Sequence, residues 1–291
     1  MRLSTTTDPA AMNALGLPET VRMIARAGFD AYDINLGFLT EGHVLAGDDY
    51  RRRVAEVKAA ADEAGIVCNQ AHAPFLSSSK NIFGPHPPEL WNWHLRSFAI
   101  AAELGAPAIV VHVAHYFPKG EDAFAYNVAY YKKLEPYARE YGVKIALENL
   151  FIRDRRSECL RPDESCAFPE DLLRYLDALD SDVFTVCLDV GHSGLIGDDA
   201  ERYLRLLGGD RVTALHVHDN DFKQDQHTLP FLGKLDWESL AKALAESGYR
   251  GDFTFEVLAF QKKLPPELME AAYGYLAQVG RYLVSRVEAY R

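Results

Sequence analysis

Phe184-Thr185-Val186-Cys187-Leu188-Asp189-Val190-Gly191-His192-Ser193-Gly194 decides how the chain is to be read. A short apolar run ends in a carboxylate, and an imidazole follows three residues later. In a strand successive side chains point to opposite faces. Val186 and Leu188 then share one face, and Cys187 and Asp189 share the other. The two glycines that follow permit a tight turn carrying His192 back toward Asp189.

The same unit recurs along the chain. Short apolar runs rich in β-branched residues at 2–6, 31–36, 66–72, 108–113, 144–150, 184–190, 212–219 and 252–257 predict strands. Longer segments with helical apolar spacing lie between and after them, at 17–27, 49–64, 88–104, 121–141, 169–179, 199–207, 236–247 and 266–289. Glycine stands just past the last turn at Gly28, Gly65, Gly105, Gly142 and Gly248. Strand–helix units repeated without a break in composition predict an α/β fold, a (β/α)8 TIM barrel, as a single domain over residues 1–291. A doubly wound open sheet is the alternative. It would be supported by a glycine-rich phosphate loop after the first strand, and the sequence has none there. The connections 73–87 and 151–168 both follow strands, where barrel enzymes place substrate lids.

The strand ends carry the chemistry. They read Gln70-Ala71-His72, Val110-Val111-His112, Ala146-Leu147-Glu148, His216-Val217-His218-Asp219 and Thr254-Phe255-Glu256. Ile145 and Leu147, Leu215 and Val217, and Phe253 and Phe255 alternate with the polar set. The bulky set is expected to meet the helices and the polar set to face the barrel mouth. Any one polar residue can simply end its strand in solvent. Taken together they are imidazoles and carboxylates, the donors that bind Zn2+, Mn2+ or a similar ion. Carboxylates converging on one cavity also repel unless a cation sits among them. Asp225-Gln226-His227 is a further Asp/His pair, which by itself also suits a polar loop.

Bulk properties narrow the function. The net charge of −11 argues against a nucleic-acid partner, which calls for a basic face. No apolar run approaches a membrane span, and Met1-Arg2-Leu3-Ser4 leads into polar residues without a signal core. Cys68 and Cys187 fall in strand patterns and suit small buried thiols. Cys159 and Cys166 share a loop, where pairing is open, but free thiols in a cytoplasmic protein are expected. The sequence leaves oligomeric state open and is compatible with a homo-oligomer.

Four pieces, Ala146-Leu147-Glu148-Asn149, Cys187-Leu188-Asp189-Val190-Gly191-His192, His216-Val217-His218-Asp219-Asn220 and Phe255-Glu256, give the chain its resemblance to a known superfamily. The chain resembles the xylose isomerase-like TIM barrels over essentially its whole length. Leu232-Gly233-Lys234-Leu235-Asp236-Trp237, after Asp225-Gln226-His227, is similar too. That superfamily includes ketose 3-epimerases, hydroxypyruvate isomerases, inosose dehydratases and endonuclease IV. The resemblance implies one divalent ion (Mn2+, Zn2+, Mg2+ or Co2+) held by Glu148, Asp189, His216 and Glu256, with His192 contacting substrate. The endonuclease IV pattern implies further ligands at His72, His112, His192, Asp225 and His227, for additional metal or for substrate. Leu150-Phe151-Ile152-Arg153 replaces that enzyme's glycine-rich segment, which with the acidic charge counts against DNA. No lysine ends a strand as in hydride-shifting aldose isomerases, although Lys223 follows the seventh strand.

The expected function is a metal-dependent isomerase or epimerase of a small carbohydrate, either a sugar or a sugar phosphate. Glu148 and Glu256 would act as acid and base through an enediolate. A cyclitol or keto-sugar dehydratase would share the enolate chemistry, and an endonuclease IV-like phosphodiesterase is the third reading. Trp91, Arg153 and Lys223 are weaker substrate-binding candidates. Trp91 or Trp93 can cover a sugar ring, and Arg153, Arg155 and Arg156 can hold a phosphate. Trp91, His94 and Phe98 also fall at helical spacing compatible with a core. His86 reads as a surface residue, and His43 and His115 carry no argument of their own.

Overall fold

A computed structural model of the chain describes residues 1–75, 85–115, 117, 120–153, 160–163 and 165–291. The first half runs β1 (Leu3–Thr6), α1 (Pro9–Leu15), α2 (Leu17–Arg26), β2 (Ala31–Asn35), α3 (Tyr50–Ala64), β3 (Val67–His72), α4 (Pro88–Leu104), β4 (Ala108–Val110) and α5 (Ala123–Tyr141). The second runs β5 (Lys144–Glu148), β6 (Phe151–Arg153), β7 (Leu160–Pro162), α6 (Pro169–Leu179), β8 (Phe184–Asp189), α7 (Val190–Leu195), α8 (Ala200–Leu207), β9 (Val212–His216), α9 (Trp237–Glu246), β10 (Phe253–Phe255) and α10 (Pro266–Ala289).

The parallel sheet has the order β10-β1-β2-β3-β4-β5-β8-β9. Its two ends meet where Val217 N donates to the Thr254 carbonyl at 2.9 Å and Glu256 N donates to the Val217 carbonyl at 3.0 Å. The ring closes there into the expected TIM barrel. The ladders stop earlier than the sequence pattern: β4 ends at Val110 and β10 at Phe255. Cross-strand bonding continues just past both ends, where Val111 N donates to the Ala146 carbonyl at 3.1 Å and Glu256 N to the Val217 carbonyl. Two helices, α1 and α7, and the antiparallel hairpin β6–β7 also lie outside the sequence expectation.

The expected parity is present in the packing. Ile145, Leu147, Val186, Leu188, Leu215, Phe253 and Phe255 belong to the main apolar core. Val110, Ala146, Cys187 and Ala214 form a separate small cluster. They stand two residues before His112, Glu148, Asp189 and His216, so they make a floor of small side chains beneath the polar mouth. Elsewhere in the interior Ser4 Oγ donates to Asn69 Oδ1 at 2.7 Å, and Asn69 Nδ2 donates to Thr254 Oγ1 at 2.8 Å.

No helix among the described residues is long and apolar enough to cross a membrane. Cys68, Cys166 and Cys187 are buried free thiols. Cys159, Arg155 and Arg156, and parts of the 73–87 and 151–168 connections, lie outside the described residues.

The buried Asp219 carboxylate organises the loop that follows β9. It accepts from Asn220 N at 2.9 Å, Phe231 N at 2.9 Å, Leu235 N at 3.2 Å and Trp237 Nε1 at 3.1 Å. Asp219→Ala strands these donors, and each buried unsatisfied group costs about 1–3 kcal/mol. The variant is expected to unfold at clearly lower denaturant concentration than the native chain. An unchanged midpoint would show that the loop does not depend on this carboxylate.

Candidate functional site

Strand ends deliver His72, Glu148, Asp189 and His216 from β3, β5, β8 and β9. His112, His218 and Glu256 follow directly beyond β4, β9 and β10; His192 comes from α7, and Asp225 and His227 come from the loop after β9. All of them meet in one cluster at the barrel mouth. His112 Nε2 lies 2.8 Å from Glu148 Oε2, and His216 Nδ1 lies 3.1 Å from Glu148 Oε1. His216 Nδ1 is also 3.5 Å from Glu256 Oε2 and 4.0 Å from Asp189 Oδ2. On the other side His218 Nε2 is 3.1 Å from Asp189 Oδ1, and His227 Nε2 is 3.0 Å from Asp225 Oδ2. His192 Nε2 stands 3.6 Å from Asp189 and 3.8 Å from Asp225.

Backbone carbonyls set which nitrogen each ring presents. His72 Nδ1 donates to the Ala73 carbonyl at 2.8 Å, His192 Nδ1 to Asn149 at 2.9 Å and His227 Nδ1 to Glu256 at 2.9 Å. Each ring's Nε2 then faces carboxylate oxygens. Such a contact is satisfied only by a second proton on the ring or by a cation between the two groups. The electrostatics agree. Burial disfavours a charged His192 ring, yet Asp189 and Asp225 hold its pKa well above the ordinary value. Burial works against His227 in the same way, and Asp225 lifts it to about 10. Burial tends to raise Glu148, but His216 and His112 keep it well below the usual carboxylate range. His112 goes the other way, pushed by burial down to about 4.

The donor set fits a divalent ion. Ligand atoms of Glu148, Asp189 and His216 lie within 4.8 Å of one another, as do those of His72, His216 and Glu256, of His72, His112 and Glu148, and of His192, His218, Asp225 and His227. Asp225 Oδ1 is a buried acceptor with no hydrogen-bond partner, which suits metal ligation. Neutral imidazole and carboxylate together suit Zn2+ or Mn2+.

Gly191 and Gly194 sit within α7, with Asp189 as its N-cap accepting from His192 N at 2.8 Å. The tight turn expected from the two glycines is a short helical one, and it brings His192 back to Asp189. Gly191 is needed for space: a Cβ there would run into the His218 ring.

Two contributors, Asp33 and Phe151, were not singled out from sequence, and a third, His218, was placed on the inward face without a role. His218 shares the inward parity of His216, and that alternation was the available signal. Asp33 on β2 is fully buried, and neither oxygen meets a well-formed hydrogen-bond donor among the described residues. Burial pushes it up to about 6, while His216 and His72 draw it back. An aspartate inside an apolar strand was its only mark. Phe151 of β6 packs edge-on to His192, ring centres 4.9 Å apart.

Trp91 packs edge-on against Tyr130 and Tyr137. Arg153 is exposed at the end of β6, and Lys223 is exposed beyond β9. His94 is a core residue, its rings' nitrogens meeting Tyr130 OH and the Pro74 carbonyl at 2.8 Å each. His115 Nδ1 donates to the buried Asp163 at 2.9 Å.

A family model described as xylose isomerase-like TIM barrel matches residues 21–279. An uncharacterized protein of Sinorhizobium fredii, y4fM, is 28% identical over 267 residues, covering 83% of this chain and 81% of its own. A probable endonuclease 4 of Geobacillus sp. (strain WCH70) is 30% identical over 167 residues, covering 54% of this chain and 53% of its own. Among solved structures, a D-tagatose 3-epimerase-like protein superposes with a TM-score of 0.74 at 20% identity, with 99% of both chains covered. D-allulose 3-epimerase from Methylomonas sp., in complex with D-allulose, superposes with a TM-score of 0.72 at 20% identity, covering 98% of this chain and 96% of that one.

Elemental analysis of the purified protein is expected to find a bound divalent ion, reduced in Asp189→Ala and His216→Ala. Equal metal content in all three proteins would remove these residues as ligands.

Proposed function

The chain belongs to the xylose isomerase-like TIM-barrel family, and from that premise we propose that it is a divalent-metal-dependent isomerase or epimerase of a small carbohydrate. The observation that carries this reading is the convergence of Glu148 and Glu256, from opposite parts of the ring, on His216 Nδ1 at 3.1 and 3.5 Å. Glu148, Asp189, His216 and Glu256 would hold the ion. When bound, such an ion supplies Lewis-acid stabilisation of charge developing on a substrate oxygen.

The chain's own residues supply the proton transfer. The rings around Glu148 keep it ionised, and as the base it would take the proton from carbon. Glu256 delivers a proton to the opposite face in epimerisation, or one carboxylate serves both carbons in isomerisation. His192, held by Asn149 and covered by Phe151, contacts the substrate beside them. The reading takes residues 1–291 as one domain and places the protein in the cytoplasm, consistent with its buried free thiols.

Glu148→Gln and Glu256→Gln keep shape and remove the basic oxygen. Each is expected to lower kcat by roughly 10²–10⁴ while leaving substrate binding measurable. In D2O the product is expected to carry deuterium at the reacting carbon. Product that stays unlabelled after prolonged turnover would replace this mechanism with a hydride shift.

A second reading, phosphodiester hydrolysis, draws on His72, His112, His192, Asp225 and His227 in the same cluster. The net charge of −11 and the Phe151–Arg153 strand in place of a glycine-rich segment weigh against it. Abasic duplex is expected to remain intact in a low-salt nicking assay. Efficient nicking that disappears in His72→Ala and Asp225→Ala would establish this second reading instead.

A further inference from the structure

We propose that the cavity beside the histidine–carboxylate cluster is a subsite for a flat apolar substituent, so that the substrate is a carbonyl-bearing sugar carrying an aryl or similarly apolar group and not a sugar phosphate; glycosides without a carbonyl serve below as unreactive probes of the subsite. The inference rests on the carbohydrate reading above and names the substrate class within it.

The cavity has a volume of about 1010 Å³ and lies between the segment after β2, residues 74–75 and the start of α4. Phe38, Phe75, Leu90 and Trp93 form its apolar wall. Its size is at the upper end of the range of roughly 300–1,000 Å³ typical of sites for drug-sized ligands. A lone monosaccharide placed on the cluster leaves this space unused.

Phe75 joins the two compartments. Its ring centre is 4.6 Å from His112 and 5.3 Å from His72 on one side, and 6.2 Å from Phe38 on the cavity side. The backbone is arranged to seat that ring. A Cβ at Gly37 would stand 2.8 Å from Phe75 Cε1, so a side chain at this position would displace it. Gly37 N is fixed in turn by Asn35 Oδ1 at 2.9 Å. Phe38 is left 55% exposed at the rim. A large exposed aromatic beside a built apolar wall is a feature of ligand sites.

Charge selects against a phosphate. Glu41 and Glu89 are among the lining residues. Arg96, the cation among the described lining residues, is already engaged: it donates to the Ala46 carbonyl, and its guanidinium lies 4.6 Å from the Tyr50 ring centre and 5.5 Å from that of Trp93. A dianion entering here would meet carboxylates and a committed guanidinium. A neutral ring would meet Phe38, Phe75 and Trp93, whose faces favour stacking.

The test is saturation-transfer NMR and titration of the metal-loaded protein with phenyl β-D-glucopyranoside, methyl β-D-glucopyranoside and glucose 6-phosphate. Two variants accompany it: the double substitution Phe38→Ala with Trp93→Ala, and Thr40→Trp, which puts a larger side chain at an exposed lining position to narrow the cavity. The phenyl protons are expected to receive strong saturation, and the phenyl compound to bind about ten-fold or more tighter than the methyl one. Both variants are expected to erase that difference. Saturation of the phenyl ring without the glucosyl protons would uphold the subsite and overturn the carbohydrate reading. Equal affinity of phenyl and methyl compounds, tighter binding of the phosphate, or a phenyl preference that survives both variants would overturn the subsite.

Discussion

Carboxylates from β5, β8, the segment beyond β10 and the loop after β9 enter one buried cluster, and negative charge at that density is stable only with positive charge among it. The fold provides imidazoles in alternation with the carboxylates. Because the Nδ1 atoms of His72, His192 and His227 donate to backbone carbonyls, these rings cannot turn away from the acids they face. The main chain thus fixes the tautomer, the tautomer fixes the direction of each lone pair, and the cluster becomes a preorganised seat for a cation. Most other features of the mouth follow from keeping that arrangement in register. Val110, Ala146, Cys187 and Ala214 fill the floor without pushing the next layer apart. Gly191 gives up a side chain so that His218 can reach Asp189.

Much of this was legible in the sequence because a strand's period is two. Once Ala146, Cys187 and Ala214 are set on the inner face, Glu148, Asp189 and His216 must join them, and the structure has them there. Helix ends were legible through glycines such as Gly65 and Gly105, whose left-handed backbone closes α3 and α4. Where periodicity failed, other physics governed. The segment 190–195 is too short for a helical pattern to emerge, and its glycines read as a turn; Asp189 capping the helix decided the outcome. Asp33 escaped notice because burial of a carboxylate runs against every local preference. Phe75 carried no pattern at all, since its role depends on the absent Cβ of Gly37, far from it in sequence.

The loop after β9 shows what function costs the fold. Phe222, His227 and Phe231 adopt φ of 62°, 42° and 73°, a region that bulky residues rarely enter. Strain of this kind costs of order 1–3 kcal/mol per residue and persists only where surrounding structure overrides it. The override here is Asp219, whose carboxylate gathers donors from both ends of the loop. A relaxed loop would free that energy, but it would not present Asp225 and His227 to the ring of acids at the distances observed.

Specificity has to come from elsewhere than this charged centre. A cluster built of imidazole and carboxylate recognises any ligand that offers oxygens to a cation, so it separates polyols poorly from one another. Discrimination falls to the walls, and those are unlike on the two sides of the mouth. On one side the β6–β7 hairpin brings Phe151 onto His192, capping the ring and limiting approach from that direction. On the other Phe75 lies against His72 and His112 and opens onto a wide apolar space. On the proposed reading, a substrate held at this centre would have room to extend toward Phe75. The asymmetry of the walls, added to the repeated strand–helix ring, is what would let a histidine–carboxylate centre common to many ligands favour one class of compound.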